Sequence, residues 1–545
     1  MSFATLLIGI TVGLPFALLL ACFLAPARKH MLGILPYAPI PSLFAAILSV
    51  DAPALVLGNA RIPVAFELDL PGAILLGASA ILWIASACYA QKSLPPTVNP
   101  ERFSVCWLMT LAGCMGVYLA ADMVSFYGLL ALLSVGASCL VMIESSPRSQ
   151  TAAMIYLGIA LFAETFLLLA FVLLASITPE HSLWIQDASA ALADSSMRDL
   201  IIALLVLGFG IKAGLVPTHF FMPKAYSVAI LPVAAVLSGA VIKASVLGLI
   251  RFLPEHIALP DWGMALAAIG LFGALYGVAI GLTQKDPKTI LAYSSVSQMG
   301  FIIAILGMGI MVADEGSRLA AAFYAARHVV AKGGLFLAIG VIAATGLRRY
   351  WIVFTPVILV ALSFAGLPLT GGGLAKSVTK DVMGDGLAYT IATLSSVAST
   401  LLMLHFIHQL KTTFANNPDA KSLSSQNGSW LILAIACLLL PVALIAYAPS
   451  HDLAKALEAY TLWAGLWPIL VGICIALLVS RLPIRAPQIS AGDIGHAVLN
   501  AFTHPTAAIS TRVAKLDAAL GQWPIAAMTL LSVVILFSIA FIFGN

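Results

Sequence analysis

The sequence predicts an all-α, polytopic membrane protein, and three observations carry that prediction. Of 545 residues, 61% are hydrophobic and only 9% charged, against roughly 25% charged in an ordinary soluble domain. Apolar runs of the ~20 residues that a bilayer core requires follow one another almost end to end, without the ~10-residue alternating segments of a membrane β-barrel. The polar breaks are short. Even the longest, near 177–198, 412–428 and 481–520, hold too little apolar material for a soluble core, so 1–545 reads as a single membrane domain.

Taken in order, the runs give about sixteen spans. Spans at 3–25, 31–50 and 70–90 make an N-terminal group within 1–103. Those at 104–121, 122–143, 151–176, 199–222 and 228–250 make a first five-helix unit, 104–252. A second unit, 260–411, holds 262–283, 289–311, 318–346, 352–382 and 386–410, and 412–545 closes with 429–448, 460–480 and 523–543. The first run, Phe3 to Ala25, is too long and lacks the basic leader of a cleavable signal, so it reads as a span. Seven cysteines all fall inside apolar runs with no CxxC and no paired histidines; they read as small core residues, and no disulfide, cluster, metal or cofactor is expected. A net charge of +4 points to no nucleic acid; the lipid bilayer is the surrounding medium.

Numbered alternately, the loops sort by charge. One set carries Arg28, Lys29, Lys92, Arg102, Arg148, Lys224, Lys285, Lys288, Arg348, Arg349, Lys411, Lys421, Arg481, Arg485, Arg512 and Lys515, and the other is mainly acidic. The positive-inside rule makes the first set cytoplasmic, places both termini outside, and fits a multi-pass protein of the inner (plasma) membrane.

Two spans are interrupted alike: span 7 reads LGFGIKAGLVPTHFFMP and span 12 reads LSFAGLPLTGGGLAKS. Proline removes a helical hydrogen bond and repels the carbonyl four residues back, so Pro217 should free the carbonyl of Ala213 and Pro368 that of Phe364. Irregular backbone at membrane depth is tolerated where protein or a water-filled cavity satisfies it. Five spans separate the two breaks, and an odd step reverses direction, so spans 4–8 and 9–13 form an inverted repeat of the kind common in secondary transporters.

Several ionisable groups cannot be assigned to loops. An ion near the bilayer centre costs on the order of 3 kcal/mol on insertion scales. Lys212 stands about 13 residues past Asp199, roughly 20 Å along a helix, just before the first break. Lys332 is central in span 11, with His328 one turn before it on the same face, and Glu164 is central in span 6. Lys243 lies between the centre of span 8 and Arg251, where it either snorkels or acts at depth. Lys376 follows the glycines of span 12, and His219 lies just past the first break. Burial weakens a lysine's hold on its proton and an approaching carboxylate restores it, so such an array can pass protons. Neither a nucleophile with its base nor a phosphate-binding loop accompanies it; no catalytic residue is expected in this chain, and transport fits better than catalysis.

GFGIKAGLVPTHFFMPKA with PVAAVLSGAVIKASVLGLIRF, QKDPKTILAYSSVSQMGF, RHVVAKGGLFLAIG and LSFAGLPLTGGGLAKS resemble, in order and spacing, the antiporter-like proton-translocating family. That family comprises the L, M and N subunits of respiratory complex I, the large A and D subunits of Mrp antiporters, and their counterparts in group 4 membrane hydrogenases. The resemblance covers residues 100–412, and SGAVIKA is closest to the M, Mrp D and hydrogenase-4 component B branches. It implies that Lys212 is the central lysine of the first half, Lys243 the connecting lysine, Lys332 the central lysine of the second half and Lys376 the residue after the second break, with His219 and His328 on motif positions. It further implies a subunit moving protons, or exchanging Na⁺ for protons, within a multisubunit complex, any oxidoreductase activity belonging to the complex. One departure stands out. The family's helix 5 glutamate, partner of the helix 7 lysine, is absent from DMVSFYGLLALLSVGAS, where Ala131 or a neighbour stands instead. Either Glu164 replaces it from span 6, or only the His328–Lys332–Lys376 half conducts. Two other classes remain at this point: a module energising uptake of a solute such as inorganic carbon with a cytoplasmic partner, and a structural membrane anchor.

Overall fold

The computed structural model describes residues 2–58, 63–254, 256–345, 350–415, 426–447, 454, 457–482 and 489. The chain divides into two compact units, Met1–Ala491 and Gly492–Asn545. The division falls in the polar stretch 481–520, and the second unit, with the expected span 523–543, lies outside the described residues.

Thirteen of the described helices are long and apolar enough to cross a membrane, and two shorter apolar ones, Trp351–Ala365 and Gly428–Leu444, stand at the positions expected for spans 12 and 14. Together they account for the first fifteen expected spans. Spans 1 to 3 are α1 (Phe3–Ala21), α2 with α3 (Ala25–Ile34, Ile40–Leu48) and α4 (Leu70–Ser93). The first repeat is α5 (Pro100–Leu119), α6 (Met123–Val141), α7 (Pro147–Ile177), then, past the short α8 (Ile185–Leu192), the broken α9/α10 (Arg198–Ala213, Phe221–Val228) and α11/α12 (Leu231–Val236, Lys243–Phe252). The second is α13 (Pro260–Gly281), α14 (Pro287–Val312), α15 (Gly316–Ala343), the broken α16/α17 (Tyr350–Ala365, Gly371–Met383) and α18 (Leu387–Ala415). Beyond it stand α19 (Gln426–Leu444) and α20 (Ala459–Arg481), of which α20 packs on α18.

Capping follows the sequence. Asn99, Asp122, Ser146 and Asp286 each accept a backbone N–H from the first turn of the helix that follows, satisfying donors that a helix start leaves free. Helix contacts in lipid depend on close approach of small residues. One such approach is α13 on α14, where a Cβ on Gly270 would stand 2.5 Å from the Gly300 carbonyl oxygen.

Two features depart from the sequence reading. The loop 51–69 forms a hairpin, β1 (Leu55–Gly58) against β2 (Pro63–Phe66), because Gly58 with φ 93° and Pro63 punctuate a β-branched stretch. Span 8 is not a regular helix either: Leu237–Val241 winds as a π-turn just before Lys243. Tyr118 and Tyr226 donate to its carbonyls at Ala240 (2.7 Å) and Leu237 (3.3 Å).

Candidate proton-translocation site

The first half gathers on α6, α7 and α9. Glu164 of α7 is 3% exposed, and its Oε1 lies 2.8 Å from the Lys212 Nζ. Ser134 of α6, one turn beyond Ala131, donates to the same oxygen at 2.6 Å and accepts from Lys212 at 2.7 Å. The three groups close a triangle, which gives each a partner in an apolar environment. Lys212 is placed there by the helix end: α9 stops at Ala213, and Gly214 turns the chain with φ 72°, a conformation cheap only for glycine. A Cβ on Gly214 would stand 2.2 Å from the Met222 sulfur.

Beside this triangle a cavity of about 30 Å³ is lined by Ser134, Tyr156, Lys212 and, from span 8, Val241, Ile242 and Ser245. One or two waters fit such a volume. Lys243 follows directly in the chain; it is fully buried, so it does not snorkel, and its Nζ contacts the Met299 sulfur at 3.4 Å. His219 is also fully buried, its ring 5.2 Å from that of Tyr276 and 6.1 Å from that of Tyr293.

The second half is built differently. By motif, Lys212-Ala213-Gly214-Leu215 corresponds to Phe364-Ala365-Gly366-Leu367, so an aromatic ring stands where the first half has its lysine. Around Phe364 lie Lys332 Nζ at 4.8 Å, the Arg327 guanidinium carbon at 5.1 Å and the His328 ring at 5.7 Å, measured to the ring centre. Lys332 donates to the Leu291 carbonyl at 2.7 Å. Neither ring nitrogen of His328 has a hydrogen-bond partner among the described residues. Lys376 donates to the Ala365 carbonyl at the break, and Gly366, with φ 106°, leaves it the room. Among the described residues no carboxylate pairs with Lys243, Arg327, Lys332 or Lys376, and Lys212–Glu164 is the ion pair with both side chains at most a tenth exposed.

Sequence reasoning missed three contributors. Arg327 is 1% exposed and donates to the Phe364 carbonyl at 3.1 Å, to that of Ser363 at 3.5 Å and to Gln298 Oε1 at 2.9 Å. The carbonyl that Pro368 was expected to free is therefore held by a guanidinium. Arg327 was legible as a charge at mid-span 11, directly before His328, and was overshadowed by the motif around it. Gln298 and Ser134, uncharged in apolar helices, carried no such signal.

A family described as NADH:quinone oxidoreductase/Mrp antiporter, TM, matches residues 120–403, just over half of the chain. The chain belongs to this antiporter-like family. A relative from Staphylococcus epidermidis described as putative antiporter subunit mnhA2 is 29% identical over 399 residues, 66% of this chain and 50% of its own length. NADH-quinone oxidoreductase subunit N of Desulforudis audaxviator is 30% identical over 361 residues, 62% of this chain and 70% of its own. The chain thus spans about half the length of the antiporter-subunit relatives it matches. In fold it is similar to a chain of the Mrp complex from Dietzia sp. DQ12-45-1b (TM-score 0.71, 19% identity, 100% of this chain and 63% of that one). It is equally similar to a chain of the membrane-bound sulfane sulfur reductase, an archaeal respiratory complex (TM-score 0.70, 19% identity, 98% and 100%). The family match runs from the start of α6 into α18, so both broken helices of this multi-pass membrane scaffold lie inside the matched region.

Proposed function

We propose that this chain is a proton-translocating subunit of a multisubunit membrane assembly, moving protons along Glu164, Lys212, Lys243, His328, Lys332 and Lys376, with His219 beside the first break. The observation that carries the reading is the Glu164–Ser134–Lys212 triangle. A buried lysine on a broken helix is stabilised as a cation by a carboxylate at contact, and separating the two lets it release its proton. Glu164 here serves the first half as the family's helix 5 glutamate serves its own, from the neighbouring helix. Small movements of α7 against α9 would change that distance, and the cavity between Lys212 and span 8 offers water a place toward Lys243.

The relatives are named as subunits, which supports other membrane subunits as partners of this chain, and in this reading those partners supply the driving energy. The loop-charge pattern supports the plasma membrane, with the Arg28–Lys29 loop cytoplasmic and the N-terminus outside.

The test is Glu164→Gln in the intact assembly reconstituted in liposomes, read as proton flux with a pH-sensitive dye. Unit charges ~4 Å apart attract by about 4 kcal/mol even at an effective dielectric of ~20, so flux should fall roughly tenfold or more. Native flux in a correctly assembled variant would refute the role of Glu164.

A further inference from the structure

The two halves carry opposite chemistry at equivalent places. In the first, span 6 presents a carboxylate to span 7 just before its break. In the second, span 11 presents the Arg327 guanidinium to span 12 just before its break, and Lys376 reaches back to the same spot from the far side. Three successive carbonyls, Ser363, Phe364 and Ala365, thereby each accept from a tethered cation.

Those carbonyls are the negative end of α16, where the helix dipole favours a cation. In membrane transporters, half-helix C-termini and unwound carbonyls are what coordinates Na⁺. Here that chemistry is already used. Arg327 is held by Gln298 Oε1, which also accepts from Tyr324 at 2.8 Å, and lies over the Tyr324 and Phe364 rings at 4.5 and 5.1 Å. Guanidinium groups in general do not exchange protons as ammonium groups can. Gly372 fits the arrangement: a Cβ there would fall 1.6 Å from the Ser363 oxygen and 3.2 Å from Arg327.

We propose that Arg327 is a specificity-determining residue, a tethered cation that fills the Na⁺-type site of the second break and leaves that half to protons. The inference rests on the second half being part of the ion path. A fixed positive charge repels an entering metal ion, as arginine does in pores that exclude cations, whereas His328 and Lys332 beside it can exchange a proton without a metal ion.

The test uses the full chain in its assembly, in liposomes, with ²²Na⁺ as probe. Glu164→Gln is present throughout so that the first half offers the ion no carboxylate. Saturable Na⁺ binding is measured at equilibrium with Arg327 native, as Arg327→Lys and as Arg327→Gln. Native and lysine forms should stay at background, and Arg327→Gln should rise about tenfold or more, since one unit charge ~4 Å away outweighs a decade in affinity at protein-like dielectric. Saturable Na⁺ binding in the Arg327-bearing protein would overturn the proposal, and this arm stands even if Arg327→Gln does not assemble. So would an Arg327→Gln assembly of native size and thermal midpoint that stays at background. Because binding is read without turnover, loss of proton flux would count against the proton-path reading and leave this result independent of it.

Discussion

In the proposed path, Ser134 and Glu164 divide between them the role that the family resemblance assigns to one glutamate on span 5. The hydroxyl bridges, and the carboxylate supplies the charge. Ser134→Ala removes the bridge and keeps the 2.8 Å ion pair, so proton flux should fall by a few-fold at most, less than in Glu164→Gln; equal losses would show that the hydroxyl is itself a proton carrier. Placing the acid back on span 5, as Ala131→Glu in a Glu164→Gln background, should restore part of the lost flux in the same dye assay. At this scale the sequence was informative wherever a charge sat in an apolar run. Glu164, Lys212, Lys332 and Lys376 were legible because each ion stands out at its depth, and the absence of acid from span 5 pointed to the search for a replacement. Ser134 and Gln298 were not legible, since an uncharged polar residue in a membrane helix is ordinary and its partners depend on the packing.

The interrupted elements position these groups. Both breaks were readable from Ala-Gly-Leu followed by proline, because Gly214 and Gly366 take positive φ and proline cannot extend the hydrogen-bond ladder. The π-turn at Leu237–Val241 was not: no proline marks it, and its carbonyls are held by tyrosines from α5 and α10. Gly372→Ala tests the second break. Its new Cβ would meet the Ser363 oxygen, so α16 and α17 must separate, and the expected outcome is a lower thermal midpoint with reduced flux, both measured on the intact assembly; unchanged values would show that the break does not depend on this contact. The hairpin loop, outside the spans, makes a pH prediction. Partial burial and the charge of Asp69, opposed by Arg251 and reinforced by Asp51, push the Glu67 carboxyl above its usual range. A raised folded-state pKa means that ionising Glu67 costs stability; the cost is absent below the unfolded value of about 4.3 and complete above the raised one. Glu67→Gln should therefore raise the thermal midpoint at pH 7–8 and leave it unchanged below about pH 4.

Across the described residues, the two five-span units expected from the sequence hold two unlike half-sites. The pattern of apolar runs was enough to read fold class and the order of the first fifteen spans, because in lipid only helices or closed barrels satisfy the backbone. It did not reveal that the second half lacks an acid partner among the described residues and uses carbonyls and the Phe364 ring instead, since Arg327 and Phe364 meet only once span 11 packs on span 12. The proposed path takes protons through both halves by way of their central lysines. Proton flux in the reconstituted assembly, measured for Lys212→Ala, Lys332→Ala and the two combined, tests it most directly. Each single substitution should lower flux and the pair should abolish it, whereas native flux in the correctly assembled double variant would contradict the claim and leave the chain a structural anchor.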